Sequence, residues 1–509
     1  MSRRADPFLD FDDALDWWDE PPVREEPAPP LRTRPARRRR PPPRTFAGDL
    51  ARLRAALAPH TRLLAAGLAL VVVAAVALWR DASAPEPSER QASERPAAAA
   101  RPGNQAEAPS LPETARLLRE GQRGADVRDL QHALAALGYY EQAADGAFGE
   151  GTAAAVGAFQ SANGLLADGI VGATTAAALR DAVAARAEVD AGSAGEGLEA
   201  AAADGRLDEE AAARHRETLT RAQTALAELP SGRGAVVAAV LRSVAVHADA
   251  YDGPRALTLF GMLEANVAHL RESPLRDPPG EVIADDGIVY RFQAGHGFQF
   301  HPLGSFARLN SLVRRERREQ AGTLARALVE RGVPVGNGLL WEYYFPFGGP
   351  SRWSSGFAQA IGAQSLARAG ELLDDPQLLG SARAAFRLIP RELSLELPYG
   401  AWIQEYGHSD MPILNAHLQS IVSLDAYVRI TGDERAGAFM DNMAAAARSL
   451  LHRFDTGCWS RYSLDGSPAN AHYHAYHIEL LGHLARIREE PIWGETARRW
   501  SAYEAAGGC

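Results

Sequence analysis

Lysine is absent from this 509-residue chain, so all 54 of its Lys-plus-Arg cations are arginines. A lysine Schiff base and a P-loop lysine are thereby excluded. Cysteine is scarce, with Cys458 and Cys509 alone, which excludes a disulfide scaffold and any zinc or iron–sulfur site built on cysteine. With 46% apolar residues, 23% charged residues and a net charge of −10, the chain must fold on an ordinary apolar core. Its length allows roughly three domains of ~150 residues, and its acidic balance points away from a nucleic-acid partner.

Residues 1–62 are rich in Pro and charge, with Arg37-Arg38-Arg39-Arg40 running into Pro41-Pro42-Pro43. Such a segment buries too little apolar surface to offset its ordering entropy, so a disordered tail is expected. Within it, Phe8–Glu20 interleaves aromatics with acids, a pattern suited to docking a cytoplasmic partner. Leu63–Trp79 carries no charge and is bracketed by Arg62 and Arg80, near the short end of the ~17–25 residues that cross hydrocarbon. Arginines crowd its N-terminal side. The positive-inside rule then predicts a single transmembrane helix over 63–79, the tail in the cytoplasm and the rest on the cell-wall side of the membrane. Residues 80–110, rich in Ala, Pro, Ser and Glu, read as a flexible linker.

From 111 to 182 the pattern becomes specific. Val127, Leu130, Leu134 and Leu137 keep helical spacing up to Gly138, and a second short helix carries Val156 and Phe159. One turn occurs twice, Ala144-Asp145-Gly146-Ala147-Phe148-Gly149 and Ala167-Asp168-Gly169-Ile170-Val171-Gly172. Thr152 and Thr174 are placed to cap the helices that follow. The run G-x-R-G-x-D-V-x-x-L-Q-x-x-L-x-x-L-G-Y and the two D-G turns resemble the three-helix peptidoglycan-binding module of cell-wall hydrolases. The resemblance implies non-catalytic binding to peptidoglycan.

Residues 183–272 read as a helical connector broken at Leu229-Pro230-Ser231-Gly232 and Asp252-Gly253-Pro254. Ile288–Phe292 and Phe298–Phe300 look like short strands. Amphipathic helices are expected over Ser305–Gly332, Gly356–Leu373, Pro376–Leu388, Leu414–Ile430 and Asp433–Phe454. The expected fold class is mainly α: a transmembrane helix, a small three-helix domain and, over 273–509, an α/α-toroid-type domain with a few short strands. Between the helices lie Trp341-Glu342-Tyr343, Trp353, Trp402-Ile403-Gln404-Glu405-Tyr406, Trp459-Ser460-Arg461-Tyr462 and His472-Tyr473-His474-Ala475-Tyr476-His477. Rings and polar groups recurring in loops at one end of a helical barrel suit a carbohydrate cleft.

Trp353-Ser354-Ser355-Gly356-Phe357-Ala358-Gln359, Glu405-Tyr406, Ile413-Leu414-Asn415, Trp459-Ser460-Arg461-Tyr462 and Tyr473-His474-Ala475-Tyr476-His477 follow the order and spacing of the D-glucuronyl C5-epimerases, whose C-terminal domain this region resembles. The resemblance implies inversion of C5 in glucuronosyl residues of a polysaccharide, without a cofactor or metal. It implies Tyr406, Tyr462, Tyr473 and Glu405 as catalytic residues. It further implies sugar contacts from Trp341, Glu342, Tyr343, Trp353, Gln359, Asn415, Trp459, Arg461, His474 and His477.

The chemistry matches the residue types. Inverting C5 needs one acid/base group on each face of the ring, and donors or cations around the carboxylate beside the carbanion. Arg461 could stabilise a Tyr462 phenolate or hold that carboxylate. Arg308, Arg314, Arg315, Arg317 and Arg318 could offer a basic face to a polyanion. A uronate lyase would begin with the same proton abstraction. A glycoside hydrolase would use Glu342 with Glu405, and a non-catalytic glycan-binding protein would keep the cleft without turnover.

Overall fold

Caps and apolar stripes make residues 117–275 and 280–509, which the computed structural model describes, mainly helical. The tail with Phe8–Glu20, the run Leu63–Trp79 and the linker to residue 110 lie outside the described residues. Among the described residues no helix is long and apolar enough to cross a membrane. That finding overturns the expected single-pass placement, and with it the orientation of the chain across a membrane.

Helices Ala125–Ala136 and Glu150–Ala162 and the start of Ala173–Ala203 close a small core around Val127, Leu134, Phe148, Val156, Phe159 and Leu179. The doubled turn is organised by glutamine. Gln131 Nε2 lies within reach of Asp145 Oδ1 (2.9 Å) and Thr152 Oγ1 (3.1 Å), while its Oε1 accepts from the Gly146 N–H (2.8 Å). Gln160 repeats this with Asp168 (2.9 Å), Thr175 (3.2 Å) and Gly169 N–H (2.9 Å). The expected threonine caps are therefore corrected. The two helices start after Gly149 and Gly172 without a side-chain cap, because Thr152 is drawn into the glutamine cluster and Thr175, not Thr174, serves the second one.

The third helix does not stop with the small core but runs on to Ala203, 31 residues in all. It then packs with Glu209–Glu228 and Ser231–Val246, and both of these pack with Gly253–Glu272. The breaks fall where Leu229-Pro230 and Asp252 interrupt the chain, and Asp252 caps the last helix through the Arg255 N–H. Ala133 and Ala136 meet Ala235 and Ala239 in a seam of small residues, and Arg242 Nη1 donates to the Ala136 carbonyl (3.3 Å).

Beyond residue 280, strands Glu281–Ile283, Val289–Gln293 and Gly297–Phe300 form an antiparallel sheet with Tyr290 opposite Phe300. Helices Pro302–Arg314, Gly356–Leu373, Leu414–Thr431 and Ala471–Ile487 then pack successively against one another. Each is backed by the helix that follows it in sequence: Arg318–Glu330, Pro376–Glu392, Glu434–Leu450 and Ile492–Ala505. This double layer is of the α/α-toroid type. The middle inner helices, Gly356–Leu373 and Leu414–Thr431, are buried on nearly every face, whereas the outer Pro376–Glu392 buries one stripe, Leu378, Ala382, Ala385, Phe386 and Ile389. The expected helix over Ser305–Gly332 is two helices, because the chain turns at Glu316 with φ 54°.

Gly197, within the long helix, has no room for a side chain: a Cβ there would lie 2.7 Å from Ala248 Cβ and 2.8 Å from its carbonyl oxygen. Gly192, on the same helix, is exposed with nothing within 4 Å. Gly192→Ala should therefore stabilise the protein by ~0.5–1 kcal/mol, the ordinary helical gain. Gly197→Ala should destabilise it by ~1–3 kcal/mol through overpacking. Chemical denaturation of the two variants checks the opposite signs.

Candidate active site

Strand Gly400–Ile403 ends where the chain must pass the N-terminus of helix Gly356–Leu373. Gly356 N–H donates to the Gln404 carbonyl, and Gly407 N–H to the Ser354 carbonyl, each at 2.8 Å. A Cβ on Gly356 would sit 2.6 Å from the Leu393 oxygen and 2.7 Å from the Gln404 oxygen, so this approach requires glycine. Glu405 and Tyr406 are thus pinned on both sides. Tyr462 is fixed through its backbone, its carbonyl accepting from Leu414 N–H (3.0 Å) and its own N–H donating to Ser467 (2.8 Å). Tyr473 lies in the first turn of helix Ala471–Ile487, where its N–H donates to the Asn470 cap (2.8 Å).

The N-terminal ends of the four inner helices thereby gather one chain of rings. His301, which caps Pro302–Arg314, is edge-on to Tyr343 (5.7 Å), and Tyr343 stacks on Trp353 (4.1 Å, 7°). Trp353 meets Tyr406 at 5.6 Å, and the Tyr462 and Tyr473 rings lie 4.8 Å apart at 55°. Phe347 and His408 also pack near Tyr406, at 5.0 and 6.1 Å.

Glu405 is 2% exposed, and burial pushes its carboxyl up to about 7, against the pull of the nearby Tyr406 and Tyr462 hydroxyls. Those hydroxyls sit close enough to bias its titration. Neither carboxyl oxygen has a hydrogen-bond partner among the described residues. Burial, and then the charge of Glu405, holds Tyr406 and Tyr462 well above the usual phenol range. At rest both phenols are therefore proton donors, and the carboxyl is the group poised to accept.

The other residues named from the sequence fall into different surroundings. Trp341 Nε1 donates to the Leu328 carbonyl (2.7 Å) in the core. Glu342 takes a two-pronged ion pair from Arg255 (2.8 and 3.1 Å) and a hydrogen bond from Tyr344 (3.0 Å). Both of its oxygens are taken up by these partners, so Glu342 is not free to pair with Glu405 as a hydrolase would require. Gln359 donates to the Leu339 and Ala385 carbonyls (2.6 and 3.0 Å). Arg461 Nη1 turns to the Gly466 carbonyl (2.8 Å), away from the role expected beside Tyr462. Trp459 stacks on His474 at 3.7 Å, and His474 and His477, both fully buried, face Ser460 instead of a cleft. Asn415 is different: its amide is fully buried in the first turn of Leu414–Thr431, and neither polar atom has a partner among the described residues.

Sequence reasoning missed Phe347, His408 and Tyr476, which donates to Gln419 (2.8 Å). Tyr476 carried a signal, since it stands three residues after Tyr473 on one helix face. Cys458 and Cys509 form a disulfide, a single cross-link rather than a scaffold.

The raised Glu405 carboxyl has a thermodynamic sign. The folded state holds this proton more tightly than the unfolded chain, so its contribution is complete below pH 4.5 and is lost as pH rises through about 7. Glu405→Gln should therefore gain stability over the wild type between pH 5 and pH 8, by up to the order of 3 kcal/mol. Thermal melts of both proteins across that range read the difference.

Comparison with known proteins gives two family matches. Residues 337–502 match the D-glucuronyl C5-epimerase C-terminus, and residues 123–179 match a peptidoglycan binding domain. The D-glucuronyl C5-epimerase of Caenorhabditis elegans is 30% identical over 179 residues, which are 30% of this chain and 29% of that protein. This chain thus spans less than a third of that relative's length. Among solved structures, the endo-beta-1,4-glucanase CMCax of Acetobacter xylinum is similar over 40% of this chain and 67% of its own, with 14% identity and a TM-score of 0.31. The family 8 endoglucanase Cel10 of Klebsiella pneumoniae covers 40% of this chain and 69% of its own, with 14% identity and a TM-score of 0.30. The chain therefore carries an epimerase-like C-terminal domain behind a peptidoglycan-binding one.

Proposed function

We propose that the C-terminal domain inverts C5 of glucuronosyl residues within a polysaccharide, while residues 123–179 hold the protein to peptidoglycan. The observation that carries this reading is the meeting of Glu405, Tyr406, Tyr462 and Tyr473 at the N-terminal ends of the inner helices. All four fall inside the segment that matches the epimerase family.

The C5 hydrogen leaves as a proton to the oxygen of Tyr406 or Tyr462, whose own proton passes to the Glu405 carboxylate. Carbon keeps the electron pair, delocalised into the sugar carboxylate. Tyr473 gives a proton to the opposite face of C5 and is left as phenolate. Proton exchange through solvent, which the partly exposed Tyr473 can reach, then returns Glu405 and Tyr473 to their starting states. The sugar carboxylate gains charge in this step. The amide of Asn415 and the N–H groups opening helices Leu414–Thr431 and Ala471–Ile487 supply dipoles for it where Arg461 does not.

In deuterated water the full chain should place deuterium at C5 of a glucuronan-type polymer, read by NMR. Tyr473→Phe and Tyr406→Phe keep the rings and delete the proton, and each should slow exchange by ~10²–10⁴. Exchange at wild-type rate in both variants would end this mechanism. A product double bond absorbing in the ultraviolet, with chain cleavage, would assign the domain to lyases instead. Separately, the full chain should sediment with purified peptidoglycan, and a chain lacking residues 111–182 should stay in the supernatant.

A further inference from the structure

The two histidines of Tyr473-His474-Ala475-Tyr476-His477 take no part in the proton transfers above, yet both are fully buried. Ser460 N–H donates to His474 Nδ1 (3.1 Å), which fixes that nitrogen as an acceptor and leaves the proton on Nε2, directed at the Trp500 carbonyl (3.2 Å). Ser460 Oγ lies 2.8 Å from His474 Nδ1 and 2.9 Å from His477 Nδ1, with one proton to place. If Oγ–H served His477 Nδ1, His477 Nε2 would carry an N–H, buried and without an acceptor among the described residues. An orphaned donor costs more than an idle lone pair. The hydroxyl therefore donates to His474 Nδ1, sharing that single lone pair with the Ser460 N–H, and His477 Nδ1–H donates to the hydroxyl, giving one direction of donation from His477 through Ser460 and His474 to Trp500.

These bonds span the two strands of chain that carry the tyrosine pair. Ser460 stands two residues before Tyr462, and His474 directly follows Tyr473. The same strands are joined again where Ala469 N–H donates to the Ser460 carbonyl (3.0 Å) and Trp459 Nε1 to the Ala469 carbonyl (2.7 Å). No side chain in this set is open to water that could replace a lost partner, since Ser460, His474 and His477 are all 0% exposed.

We infer that His477, through Ser460 and His474, is a positioning residue that sets the Tyr473 ring against Tyr462. Its kinetic consequence rests on the proposed epimerase reading, while its structural consequence does not. An error of an ångström between reacting groups costs ~10² in rate, so the network should act on kcat far more than on polymer binding.

The test sets hydrogen bonding against filling. His477→Asn places an amide nitrogen near the position of Nδ1; His477→Gln fills more of the imidazole volume but carries its amide to the position of Nε2. If the hydrogen bond matters, Asn succeeds and Gln fails; if only packing matters, the order reverses. Two signals are read on the full chain: the ring resonances of Tyr473 in ¹³C-tyrosine-labelled protein, assigned with Tyr473→Phe, and the steady-state rate of C5 exchange. Expected for Asn are wild-type ring positions and kcat within ~3-fold; expected for Gln are displaced rings and kcat lower by ~10–100-fold, with KM within ~3-fold in both. Ser460→Ala, which removes a single oxygen, should also displace the Tyr473 resonances and serves if a histidine variant does not fold. Unmoved resonances in Gln or in Ser460→Ala, or equal displacement in Asn and Gln, overturn the inference. A wild-type protein that exchanges no C5 hydrogen ends the epimerase reading instead, and the ring resonances still decide the positioning role.

Discussion

Two backbone hydrogen bonds, from Gly356 to Gln404 and from Gly407 to Ser354, carry Glu405 into a place that water does not reach. A carboxyl held there has few ways to lower its energy. It keeps its proton to higher pH, and it raises the cost of ionising Tyr406 and Tyr462 beside it. The tyrosines beside it thus gain their chemical character from a constraint on the main chain and not from a nearby cation. The glycines that permit the approach matter to the site as much as its acid and phenols, because any Cβ on Gly356 would push the two segments apart.

Much of the helical architecture was legible because local signals agreed with tertiary packing. Ser355 before Gly356–Leu373, Asp375 before Pro376–Glu392 and Asp433 before Glu434–Leu450 all accept backbone N–H groups as caps. The break near Glu316 was not legible, since the Arg- and Glu-rich run around it has good helical propensity and only packing of the two flanking helices turns the chain there. Thr152 misled because a threonine at a helix start has two uses, and the buried amide of Gln131 had the stronger need.

Within the site, the sequence named loops whose acid and phenols the fold brings together, but it did not sort their residues. Glu405, Tyr406, Tyr462 and Tyr473 come together, while Trp341 and Gln359, taken from the same motifs, bond to backbone carbonyls in the core. What separates them is direction, which depends on whether a long-range carbonyl lies within reach. For Glu342 the deciding partner, Arg255, stands 87 residues earlier in the connector, beyond any spacing argument.

The disulfide gives the tyrosine set an uneven topology. Cys458 and Cys509, 51 residues apart, close a covalent ring that contains Tyr462, Tyr473 and the network of Ser460 and the histidines. Glu405 and Tyr406 stand outside it. By chain-entropy arguments a loop of that size removes ~4 kcal/mol of freedom from the unfolded chain, and all of it falls on the segment that carries Tyr462 and Tyr473. Under partial denaturation Tyr462 and Tyr473 would stay within one closed loop, whereas Glu405 and Tyr406 are held beside them by noncovalent packing that can open. The site has, in mechanical terms, a welded half and a hinged half, and the boundary between them runs between Tyr406 and Tyr462.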